Sequence, residues 1–206
     1  MMWAPRGVYF FFEPGETFPT GSRVTRIGTH ALNTGSRTTL WHRLSQHRGT
    51  RSPFGGNHRG SIFRLLVGEA LMRRDPELFV ESWGMKKAPA DSDAKQREKA
   101  HEARVSDYLG GTSVLALPIN DAPGPDNRRG FLERNAIALL SQQALSPEAC
   151  ISGSWLGLHS GRERVRRSGL WNNRHVNERH DPAFLDVMEH LIDEIPTPSE
   201  VVGHST

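Results

Sequence analysis

The chain has 206 residues, of which 36% are hydrophobic and 24% charged, and a formal net charge of +3 at pH 7. That length suits one well-buried domain or one domain with a large elaboration, and no run approaches the roughly 20 apolar residues that a membrane-spanning helix needs. A lone cysteine, Cys150, excludes an intramolecular disulfide and a cysteine-based zinc cluster, and with no secretory signal expected from the opening "MMWAPRG" the anticipated setting is a reducing cytoplasm.

The charge is unevenly spread. Residues 1–74 hold 11 Lys or Arg against Glu13, Glu16 and Glu69, so the first third is a cation and the remainder is an anion. Only Lys86, Lys87, Lys95 and Lys99 are lysines; the other 22 basic residues are arginine. Arginine's planar fork suits bidentate phosphate contact, which fits nucleic acid, although a GC-rich genome also raises arginine everywhere.

In chain order, "RGVYFFFE" predicts a strand, "EPGETFPTGS" its turn and loop, and "RVTRIG" a second strand. "TTLWHRLSQHRG" predicts a helix with a Thr cap, a stripe of Leu40, Trp41 and Leu44, and Gly49 as its stop. "TRSPFGGNHRGS" is a loop by composition, and "SIFRLLVGEALMRR" fits either a strand or a helix. A helix over 91–111 stopped by Gly110 and Gly111 precedes the buried strand "TSVLALPI". Two further helices follow, "RRGFLERNAIALLSQQAL" and "DPAFLDVMEHLIDEI", the latter with Asp181 as cap and Pro182 at its first position. Residues 196–206 form an expected mobile tail.

Several residues carry chemistry. Arg43 and His47 lie four apart on one side of their helix, beside the apolar stripe, where they can reach a phosphate or simply snorkel. Glu133 continues the line of Ile137, Leu140 and Ala144, and a carboxylate facing a core is paired, neutral or metal-bound; the alternative is a first-turn glutamate at the helix dipole. Asn172 and Asn173 follow an apolar pair in a glycine-bearing loop, where an amide usually satisfies turn backbone. "HEARV" at 101–105 has Val105 where a zinc-protease helix needs its second histidine, and no phosphate-binding GxxxxGK[ST] loop occurs.

Taken in order, these segments resemble the GIY-YIG nuclease superfamily. "GVY" at 7–9 resembles the first motif, "RIG" at 26–28 the second, "LWHRLSQH" the helix of the catalytic arginine and histidine, "LERNAIALL" the segment of the metal-binding glutamate, and "SGLWN" the asparagine motif. The resemblance implies an α/β fold: a small central, mostly antiparallel sheet flanked by helices, in a single domain over 1–195 with a large insertion at about 49–111. It implies an endonuclease that hydrolyses phosphodiester bonds in DNA, or RNA, with one Mg²⁺ or Mn²⁺ ion. The alternative is a non-catalytic nucleic-acid-binding member of the same superfamily, because Arg26 stands where the second motif has its tyrosine.

By that pattern Tyr9, Arg26, Arg43, His47 and Asn172 form the catalytic set and Glu133 holds the metal. Tyr9 would be the base, with Arg26 expected across the hairpin to lower its pKa; in the rival version Arg26 grips phosphate and His47 or His30 handles the proton. Arg23, Arg48, His58, Arg59 and Arg64 are candidate nucleic-acid contacts, as is the run "RERVRR" at 162–167 unless it is a solvated turn. No membrane partner is expected.

Overall fold

A computed structural model describes residues 3–51, 54–141 and 151–195, with the side chains of 51 and 54 excepted. Cys150, residues 142–145 of the predicted 128–145 helix and the 196–206 tail lie outside these residues, and the described helix stops earlier than expected, at Leu140, where Ser141 turns extended. Strands β1 (Gly7–Phe18), β2 (Gly21–Gly28) and β5 (Ser113–Pro118) form an antiparallel sheet in the order β2-β1-β5. A two-residue hairpin, β3 (Thr50–Arg51) and β4 (Phe54–Gly55), stands apart from it.

The apolar run of β1 is continuous because both faces of the sheet are covered. Val8 and Phe10 pack with Ile27 and Leu117 against α4 (Arg128–Leu140) and α6 (Ala183–Asp193), through Leu132, Ala136, Ile137, Phe184 and Leu191. Tyr9 and Phe11 point to the opposite face, under α1 (Leu40–Arg48), α2 (Ile62–Arg74) and α3 (Ser92–Gly110). The result is a small antiparallel sheet between helical layers, the α/β class expected.

Segment 49–111, expected as an insertion, contributes to the central core. Phe63, Leu66 and Val67 of α2 and Val105 and Leu109 of α3 belong to the same buried cluster as Tyr9 and Phe11. Residues 62–74 are helical because Ser61 caps them, its Oγ accepting from Arg64 N–H, and because Phe63, Leu66, Val67, Ala70 and Leu71 share one buried side. Beneath α2, Arg64 is wholly buried and donates to Glu102 and to the carbonyl of His47, the latter at 3.0 Å.

Where a loop was expected at 13–22, β1 continues to Phe18 through register irregularities and the turn shrinks to Pro19 and Thr20. Two buried carboxylates explain the difference. Glu13 accepts from Tyr108 Oη and from the indole N–H groups of Trp155 and Trp171, while Glu16 pairs with Arg23. The "RERVRR" run contains a short helix, α5 (Glu163–Ser168), with Arg162, Arg164 and Arg167 exposed around it. At α6, Asp181 Oδ1 accepts from Ala183 N–H at 3.0 Å and Pro182 already has helical dihedrals, as the sequence indicated.

β2 is bordered on its outer side by the 171–172 segment. Trp171 N–H donates to Thr25 O at 2.7 Å, and the Asn172 side chain accepts from Ile27 N–H at 3.1 Å while donating to Ile27 O at 2.8 Å.

Gly28 pairs with Tyr9 across the hairpin, and a Cβ there would overlap the Tyr9 ring and hydroxyl. Ala at position 28 is expected to displace Tyr9 and to destabilise the fold by about 1–3 kcal/mol, the usual cost of overpacking a filled core. A urea denaturation midpoint equal to that of the wild type would contradict this.

Candidate active site

The site forms where β1 begins, β2 ends and α1 crosses above them. Thr39 caps α1 through its side chain, setting the helix so that Leu40, Leu44 and His47 face inward. His47 is thereby brought to Tyr9: Tyr9 Oη lies 2.8 Å from His47 Nε2, and His47 Nδ1 lies 2.8 Å from Ser61 Oγ. All three are buried, Tyr9 and His47 to 0% exposure. Burial, helped by the charges of Arg26, Arg43 and Arg64, holds His47 well below its usual 6.5, so its ring is neutral.

Arg26 lies opposite Phe11 in the register, diagonal to Tyr9, not directly across from it. Its Nη1 donates to Trp171 O at 2.7 Å and its guanidinium stands 4.7 Å from the Phe63 ring centroid. No described residue partners its buried Nε. The expectation that Arg26 would depress the Tyr9 pKa needs correction. Burial raises that pKa above 10.0, and although Arg26 and Arg43 pull in the expected direction, the low dielectric around a group with no solvent contact outweighs them. Tyr9 rests as a protonated phenol.

Arg43 is half-buried and donates to Gly60 O at 3.3 Å and to Gln46 Oε1 at 3.1 Å, while its charge acts on Tyr9 and His47. Glu133 Oε1 accepts from Thr29 N–H at 3.1 Å, just past the end of β2. Burial raises its carboxyl pKa, against the opposing effects of Arg26, Thr29 N–H, His175 and Arg43. Glu133 also borders an open cleft of about 650 Å³ together with Asn33, Asp126, Asn127 and His175.

Among the described residues no group of three or more His, Cys, Asp or Glu gathers to hold a metal. A single hard carboxylate fits Mg²⁺ or Mn²⁺ nonetheless, because Mg²⁺ keeps several waters and shares substrate phosphate oxygens. No described residue bonds Glu133 Oε2, and the polar cleft beside it leaves room for water.

Asn172 bonds to the backbone of Ile27 and clamps its loop to β2, carrying with it the Trp171 carbonyl that Arg26 grips. His30 is buried with no described partner at either ring nitrogen, and burial lowers its pKa to about 4, with the charges of Arg129, Arg43 and Arg6 adding to the effect against one backbone contact to Pro5.

Three of the five expected nucleic-acid contacts are internal. Arg23 is committed to Glu16 and Gly169 O, His58 to Glu102 and a stack on Trp83, and Arg64 to Glu102, His47 O and Ser106. Each finds an acceptor or aromatic face far along the chain, and burial removes it from any strand. Arg59 forks onto both oxygens of Glu98 and is only partly exposed. Arg48 remains exposed at the end of α1.

Ser61 and Thr29 escaped the sequence reading. The sole signal for Ser61 was a hydroxyl in cap position before an ambiguous apolar run; Thr29 contributes a backbone N–H, which no side-chain pattern reveals.

Guanidinium groups beside a phenol–imidazole pair, with a carboxylate at the rim, make a domain equipped to meet a phosphate ester. The chain belongs to the GIY-YIG domain family, whose profile matches residues 1–198, and so to a superfamily of nucleases. No significant match to a curated protein or to a solved structure was found. No described helix is long and apolar enough to cross a membrane.

Proposed function

We propose that the protein is a metal-dependent endonuclease that hydrolyses phosphodiester bonds in DNA, acting in the cytoplasm. The observation that supports this most is the buried Tyr9 Oη–His47 Nε2 contact at 2.8 Å, set within the fields of Arg26, Arg43 and Glu133. Arg43, half-buried and held by a long bond to Gly60 O, is the guanidinium that meets the incoming phosphate. Arg26 holds fixed positive charge behind it. Preorganised charge of this kind commonly supplies the largest share of catalysis.

Tyr9 passes its proton to His47 Nε2 as it takes one from the attacking water, so a neutral imidazole replaces the depressed phenol pKa expected from the sequence. Glu133, with His175 and Asp126 in the adjoining cleft, is the residue to hold Mg²⁺ or Mn²⁺. The ion, when bound, supplies charge that polarises the phosphate and steadies the leaving oxygen. Arg48 and the exposed Arg162, Arg164 and Arg167 are surface contacts for the backbone of the strand.

A second reading has one observation in its favour: Tyr9 has no exposed surface and Arg26 stands where the family's second tyrosine falls, which suits a member that binds nucleic acid without cutting it. Labelled single-stranded, duplex and branched DNA incubated with Mg²⁺ or Mn²⁺, beside Arg43→Ala, separates the two. Metal-dependent products from the wild type that fall about 10²–10³-fold in the variant are expected. Binding across the panel with no products would establish the non-catalytic reading.

A further inference from the structure

Of the described residues of segment 49–111 that border the site, Ser61 is the one whose side chain lies within hydrogen-bond distance of the His47 ring. Its Oγ lies 2.8 Å from His47 Nδ1, and both residues are essentially without solvent contact. A neutral imidazole carries one proton, and which nitrogen bears it depends on what the other meets. The groups whose charge reaches the Tyr9 hydroxyl are Arg26, Arg43 and Glu133, and the acceptor within hydrogen-bond distance of it is His47 Nε2. A guanidinium has no acceptor. With the phenol donating to Nε2, that nitrogen is bare and the ring proton sits on Nδ1 facing Ser61.

Ser61 Oγ is suited to receive it. As the cap of α2 it already acts as an acceptor, taking Arg64 N–H at 3.3 Å, and a hydroxyl has a second lone pair to offer. The backbone on either side is fixed as well, because Arg64 Nη1 donates to His47 O and Ser61 N–H to His58 O.

We infer that Ser61, contributed by segment 49–111, is a positioning residue that holds His47 as the Nδ1–H tautomer and so keeps Nε2 free to take the Tyr9 proton. The role rests on the nuclease reading for its purpose but not for its geometry. In that relay the Tyr9 O–H bond breaks and an Nε2–H bond forms while a proton of the attacking water passes to the Tyr9 oxygen, leaving a neutral phenol and an imidazolium; the Nδ1–H bond to Ser61 is kept and strengthened by the new charge.

The test is nitrogen-15 NMR of the full chain labelled at histidine, for the wild type, Ser61→Ala and Ser61→Thr, with cleavage rates measured in parallel. His47 in the wild type is expected to show protonated Nδ1 and bare Nε2 signals at neutral pH. Ser61→Ala should shift or mix those signals and slow cleavage about 10–100-fold, the usual cost of losing a supporting hydrogen bond. Ser61→Thr, which keeps both hydroxyl and cap, should restore them. A wild-type ring protonated at Nε2, or an Ala variant that is folded with unchanged ring signals, overturns the inference. The signals report on the ring whether or not the protein cuts, so an absence of cleavage counts against the nuclease reading while the tautomer is judged from the spectra.

Discussion

Lowering the pH from 7 to 5 is expected to cost folding stability, about 2 kcal/mol through His30 with a further loss through His47, of which the raised Glu133 carboxyl returns part by taking a proton in the folded state first. The loss comes from His47 and His30, buried and held neutral, with the ordinary value of each at 6.5 in the unfolded chain. Burial is the leading cause in both. Below pH 6.5 the unfolded chain binds protons that the folded chain refuses, so the unfolded state gains free energy of binding and stability falls with pH. For His30 the decline ends near pH 4; for His47 it continues to its own depressed value. His101, also lowered mainly by burial, adds to the slope.

The carboxylate that pairs with the buried Arg64 and His58 acts lower down. Burial pushes Glu102 upward, but His58 and Arg64 outweigh it, and its net depression costs stability only as pH falls below the usual 4.5. The histidine window therefore opens first. Urea denaturation at pH 7, 6 and 5 checks the claim, and a stability that stays flat across that range would mean that the rings accept protons in the folded state.

Glu133→Gln should reduce metal-dependent cleavage by about 10³-fold or more while leaving the fold intact. The variant is close to isosteric, and its amide oxygen can still accept from Thr29 N–H as Oε1 does now. What disappears is the negative charge. Because burial penalises the ionised carboxyl, losing that charge costs the folded state little, and the thermal midpoint should stay within a few degrees of the wild type. Binding to DNA should be equal or somewhat tighter, since a negative group beside phosphate has been removed. Cleavage within about tenfold of the wild type would remove Glu133 from the metal site.

The elements with simple periodicity were legible in the sequence. The strand pair, the helices starting at Leu40, Ser92, Arg128 and Ala183 and the strand at Ser113 lie where apolar spacing, caps and terminal glycines placed them. Polar residues were the ones misjudged. Glu13 and Glu16 lent a loop character to what is strand, and Arg23, His58 and Arg64 were expected on the surface. Outside the Glu16–Arg23 pair the deciding partner is remote: Trp171 is 158 residues from Glu13, Gly169 is 146 from Arg23, and Glu102 is 38 from Arg64. Local pattern reports whether a side chain is polar, and only tertiary pairing decides whether it is buried. The same reasoning covers Tyr9, which was paired with Arg26 while His47 entered only as a rival handler of the proton, and whose phenol was assigned the wrong dominant influence.

The clamp on β2 has a consequence beyond the site. An outermost strand offers a row of N–H and C=O groups that any other extended chain can use, which is how sheets of separate molecules join. On β2 the carbonyl of Thr25 is taken by Trp171 and both backbone groups of Ile27 by the amide of Asn172, so a side chain occupies the place of a neighbouring strand. The residue that the family pattern assigns to the reaction centre thus also closes an adhesive border, and it guards against self-association by the same two hydrogen bonds that hold its loop.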